Sequence, residues 1–108
     1  MDYKMELCKR IRFVVFGDDC WRVGIHYDNG VPEISLDVHG LTVPEAKRII
    51  RNVINVSRES ILHLNIIHGY HHGTAIKSML EAESFAGRVS ERFCPDENPG
   101  QTIMTIAA

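Results

Sequence analysis

The 108-residue chain carries 12 Lys and Arg against 14 Asp and Glu, a net charge of −2 at pH 7, with 44% hydrophobic and 24% charged residues. That is one domain's worth of a composition close to the average for a soluble globular protein, with room for a single core and none for a second catalytic domain. The charge balance excludes bulk electrostatic clamping of nucleic acid, so any polyanion contact has to be local.

The first 30 residues read as an extension. An apolar run at 11–16, the Gly17-Asp18-Asp19 turn, a second run at 20–26 and the turn Tyr27-Asp28-Asn29-Gly30 predict an added β-hairpin whose edge augments or caps a sheet. Phe13, Val15 and Trp21 pack that hairpin, and an exposed apolar edge there fits a monomer or weak homodimer. The charged N-terminus does not read as a signal peptide, and no apolar run approaches the roughly 18 residues needed to span a bilayer. The expectation is a cytoplasmic protein with no membrane partner. Cys8, Cys20 and Cys94 are odd in number with no C-x-x-C pair, so they are read as reduced thiols.

Residues 31–108 form the main domain. Glu33 to Leu36 is a short strand that breaks into Asp37-Val38-His39-Gly40. Alternation along a strand puts Asp37 and His39 on one face. Thr42-Val43-Pro44-Glu45 then has capping-box form, with Thr42 as N-cap and proline in the first turn. Ala46, Ile49, Ile50, Val53 and Ile54 recur at helical spacing and define a buried stripe, ending near Arg58. Lys47, Arg48 and Arg51 take the other faces and, with Arg58 beyond, offer a local basic face for nucleic acid, although such charges are more often simply the solvated side of the helix. Leu62 to Ile67 ends doubly apolar, as a central parallel strand covered on both faces would.

A second strand end of like construction follows at His68-Gly69-Tyr70-His71-His72-Gly73-Thr74. Beyond it, Ala75 to about Glu83 is a helix with Thr74 as cap and Ile76, Met79 and Leu80 inward. Val89–Phe93 and Thr102–Ile106 are two more strands, joined by a turn-rich loop at 94–100. The order β-α-β-α-β-β predicts an α/β fold, an α+β two-layer sandwich with a mixed sheet.

The two His-Gly strand ends point to one shared site. A neutral His39 suits a general base, with Asp37 orienting the imidazole or holding a divalent ion such as magnesium or manganese. The plainer alternative has Asp37 capping the turn and His39 bonding to backbone. Backbone N–H groups around Gly73, Thr74 and Ala75 open a helix where a phosphate is favoured, with Lys77 adding charge. Tyr70 offers a ring for an unpaired base; otherwise the segment is a solvent loop. His68, His71 and His72 are metal-type donors, but no H-x-x-x-H or H-E-x-x-H spacing accompanies them, so no metal site is assigned.

Leu36-Asp37-Val38-His39-Gly40-Leu41-Thr42 before an amphipathic helix, followed by Ile66-Ile67-His68-Gly69 with a glycine downstream, resembles the Smr domain, the small MutS-related module. The likeness runs from Glu33 to Ile106. It implies a compact βαβαββ fold similar to the C-terminal domain of translation initiation factor three, binding of DNA or RNA, and endonuclease or nicking activity. Asp37 and His39 match the first motif, tied to cleavage; His68 and Gly69 match the head of the second, tied to nucleic-acid contact. Many members continue the second motif as Gly-x-Gly, whereas Tyr70-His71-His72 stands here. That departure sets an alternative beside the endonuclease: a nuclease-inactive nucleic-acid- or ribosome-binding adaptor.

Overall fold

The computed structural model describes residues 22–56, 61–69, 74–95 and 97–107. Its elements are β1 (Val23–Asp28), β2 (Val31–Asp37), α1 (Val43–Val56), β3 (Leu62–Ile67), α2 (Thr74–Ala82), β4 (Val89–Phe93) and β5 (Gln101–Ile106). They make one five-stranded sheet in the order β1-β2-β3-β5-β4. β2 and β3 are parallel and every other pairing is antiparallel, so the sheet is mixed, as expected. From β2 onward the predicted β-α-β-α-β-β order holds.

The capping box forms as read. The Glu45 amide donates to Thr42 Oγ1 (3.3 Å), the Thr42 hydroxyl donates to Glu45 Oε1 (2.7 Å), and the Thr42 amide reaches the same oxygen (3.4 Å). These bonds satisfy donors that a helix start otherwise leaves open. The predicted stripe of α1 is its buried face, residue for residue. It packs with Ile76, Leu80 and Phe85 onto Ile34, Leu36, Leu62, Leu64, Ile66, Met104 and Ile106 as one core.

Both described helices lie on that side of the sheet. The opposite side, carrying Glu33, Ser35, Asp37, His63, Asn65 and Ile67, is only half-buried. β3 is therefore not sealed on both faces: Ile66 is buried while its neighbour Ile67 is half-exposed, because period-two alternation persists to the strand end. Among the described residues, no second helix covers that face.

The expected strand at 11–16, the Asp18-Asp19 turn and the packing of Phe13, Val15 and Trp21 lie outside the described residues. The following strand pairs with β2 as an edge hairpin, closed by Asn29 (φ 53°) and Gly30 (φ 83°). Two successive left-handed residues are what a two-residue turn matched to strand twist requires. Tyr27 and Asp28, read as turn, instead extend the ladder opposite Pro32 and Val31. No described helix is long and apolar enough to cross a membrane.

Candidate functional site

Because β2 and β3 run parallel, their carboxyl ends emerge at the same sheet edge. The last ladder pair sets Asp37 beside Ile67, and the Val38 amide adds one more bond to the Ile67 carbonyl (2.9 Å). The chain then reverses through Gly40 at φ 80°, a conformation costly for a residue with a Cβ. The Leu41 amide closes the turn on the Val38 carbonyl (3.2 Å).

This turn projects His39 outward, its side chain 57% exposed, while that of Asp37 is 24% exposed. The His39 amide donates to Asp37 Oδ1 (3.2 Å), and His39 Nδ1 pairs with the same oxygen. An ionised carboxylate only accepts, so the shared hydrogen belongs to Nδ1, and the Nε2 lone pair stays outside this contact. The turn-capping role and the acid–imidazole couple thus coexist in one side chain.

At the neighbouring tip, the His68 and Gly69 amides both donate to the Gly100 carbonyl (2.9 Å each). The His68 residue is 2% exposed. Its Nδ1–H donates to the Gly69 carbonyl (3.0 Å), which leaves Nε2 to accept from the Thr102 hydroxyl (2.9 Å). Burial pushes the imidazole below its ordinary pKa, the Gly69 bond opposes this, and the Lys77 charge adds to it. His68 is therefore a neutral brace between β3 and β5. Gly69, at φ 90°, sits so close to the first turn that a Cβ there would lie 3.7 Å from the His39 Cβ. The two tips touch.

Thr74 opens α2 at the surface, and the half-buried Lys77 follows in its first turn. Tyr70, His71, His72 and Gly73 lie outside the described residues.

Basic residues gather in the helical layer, alongside Glu45 and Glu81. Lys47, Arg48, Arg51 and Lys77 are on the helices. Arg88 Nη1 donates to the Ile54 carbonyl (2.7 Å), and Arg92 Nη1 to those of Leu80 and Glu81 (2.7 and 2.8 Å), where a cation complements a helix C-terminus. Lys47 is paired with Glu83 (2.7 Å), whereas Arg48 and Arg51 are exposed. The other sheet face presents Glu33, paired with His26 (2.8 Å), together with Asp37 and Glu91.

One residue here escaped the sequence reading. Arg22, just before β1, donates from Nη1 to the carbonyls of Asp37 (3.1 Å) and His39 (3.2 Å). The signal was the Asn29-Gly30 turn: counting the hairpin register back from it sets Arg22 opposite Asp37.

Among the described residues, no three His, Cys, Asp or Glu side chains converge as metal ligands. Asp37 Oδ1 is engaged by His39, through both its amide and its ring. In comparisons with known proteins, no protein-family model, curated protein or solved structure matches the chain.

Proposed function

We propose that this chain is a small nucleic-acid-binding hydrolase of the Smr type, cleaving phosphodiester bonds of DNA or RNA with Asp37 and His39. Its βαβαββ core is, in this reading, the one shared with the C-terminal domain of translation initiation factor three. The observation that carries the proposal is the acid–imidazole couple, exposed at a strand tip and in contact with a second His-Gly tip. Asp37 holds Nδ1–H, which fixes the tautomer and stabilises the imidazolium once it forms. His39 Nε2 takes the proton of the attacking water or ribose hydroxyl, a step typically worth about 10² to 10⁴ in rate.

The phosphate is assigned to the neighbouring surface. Gly69 lets backbone approach closely, and the first amides of α2, from Thr74 onward, supply donors at a helix N-terminus beside Lys77. Gly73 and Tyr70 complete this surface by sequence position, the latter as a stacking ring. His68 acts from below, shaping the backbone that meets the ligand.

Supercoiled plasmid and structured RNA, incubated with wild type, Asp37→Asn and His39→Ala, test the assignment. Each reaction is run with magnesium, with manganese and with chelator. Cleavage by wild type that falls at least about a hundredfold in His39→Ala is expected from the loss of a general base. Equal cleavage by all three removes the couple from the chemistry. The alternative, a nuclease-inactive nucleic-acid or ribosome adaptor, is favoured by the Tyr70-His71-His72 stretch that stands in place of Gly-x-Gly, and by the net charge of −2. Binding without cleavage by wild type establishes that alternative.

A further inference from the structure

We propose that Arg22, supplied by the edge hairpin, is a positioning residue that holds the Asp37–His39 couple in its working geometry. The inference rests on reading that couple as the cleaving pair.

Where β2 ends, the chain loses its neighbours unequally. On the β3 side, the Val38 amide is still tied to the Ile67 carbonyl (2.9 Å). On the β1 side, the described ladder stops at Val23 opposite Leu36, and the carbonyls of Asp37 and His39 are met by a side chain instead. One guanidinium nitrogen of Arg22 bridges both, at 3.1 and 3.2 Å. The peptide units that carry His39 are thereby gripped between two strands, from β1 through Arg22 and from β3 through Ile67.

Satisfying the His39 carbonyl does not by itself require an arginine. The His39 carbonyl bond is exposed, and water meets an exposed carbonyl without help from the fold. Fixing a long side chain costs rotamer freedom. What Arg22 adds over water is a fixed separation between two carbonyls two residues apart. That separation sets where the turn projects the imidazole relative to Gly69 and the start of α2. Small displacements of a reacting group matter: about 1 Å of misplacement costs on the order of 10² in rate.

The test uses the full chain with Arg22→Met, which keeps length and removes donors and charge, Arg22→Gln as a second neutral variant, and Arg22→Lys. Single-turnover kcat and KM on the cleaved substrate, oligonucleotide affinity, thermal midpoint, and hydrogen exchange of the His39 and Gly40 amides are measured on each. The expected result for Arg22→Met is a folded chain whose kcat falls about tenfold to a hundredfold with KM and affinity within a few-fold. His39 and Gly40 should exchange faster, and Arg22→Lys should recover part of kcat.

Unchanged kcat, or a loss carried wholly by KM, overturns the proposal; the second outcome makes Arg22 a substrate contact. Failure of Arg22→Met and Arg22→Gln alike to fold also overturns it, since the side chain then supports the domain and not the couple. If wild type does not cleave, the hydrolase reading falls alone. Amide exchange still decides Arg22 in that case: faster exchange in Arg22→Met supports the clamp and unchanged exchange refutes it.

Discussion

Thr102→Val probes the brace under the second strand tip with a change confined to one hydroxyl. Thr102 is 3% exposed and His68 2%, and valine keeps both the volume and the β-branch that suits a strand. Because the Gly69 carbonyl already takes the Nδ1 hydrogen, His68 Nε2 has the Thr102 hydroxyl as donor at 2.9 Å. The variant leaves that buried lone pair orphaned, at a cost of about 1–3 kcal/mol. For a domain of this size each kcal/mol moves the thermal midpoint by roughly 4–8 °C. Reversible urea and thermal unfolding at pH 7.5 should show both shifts. A double-mutant cycle with His68→Phe should return most of the cost as coupling, since neither hydroxyl nor lone pair then has a partner to lose. A destabilisation under about 0.5 kcal/mol, the range of uninvolved surface positions, refutes the brace.

The buried imidazole of His68 should titrate below the ordinary histidine value when followed by NMR, because burial disfavours its charged form. Its contribution to stability is therefore complete above about pH 6.5 and declines as pH falls below that value, since the unfolded chain takes up the proton first, with a slope of at most about 1.4 kcal/mol per pH unit. A titration midpoint at or above the ordinary value contradicts this. Thr42→Ala, which removes the hydroxyl shared with Glu45, should lower stability by about 0.5–2 kcal/mol in urea unfolding; no change would mean that the cap is idle. Phe85, Ala86 and Gly87 are three consecutive left-handed residues (φ 49°, 61° and 77°). Ala86→Gly relieves about 1–2 kcal/mol of local strain against about 0.4–1 kcal/mol of added unfolded-state freedom. A net gain near 0.5 kcal/mol is expected, and a loss of stability argues against the left-handed turn.

Local rules with strict spacing were legible in the residues. The Thr42–Glu45 box and the five-residue stripe of α1 both depend on contacts within a turn or two, and both form as read. The like construction of the two strand ends correctly brought His39 and Gly69 together, because parallel neighbours align their tips. What the residues concealed was long-range. His68 looked like a surface ligand by its place in a His-Gly turn, yet alternation beyond Ile66 carries it to the helix side, where a threonine 34 positions away receives it. The left-handed backbone at Phe85 and Ala86 has no sequence marker, since neither residue favours that region; Phe85 is held there with its side chain buried in the core. The bond from Phe85 to the Glu83 carboxylate is local but serves a turn that only the tertiary packing dictates.

The claim that the two strand tips form one nucleic-acid site is tested most directly by NMR titration of the isotopically labelled His39→Ala chain with a single-stranded oligonucleotide at fixed salt. The largest amide shifts should fall at Val38 to Leu41, Gly69 and Thr74 to Lys77. Shifts concentrated at Ser35, His63 and Thr105 on the other sheet face, with the tips silent, would contradict it.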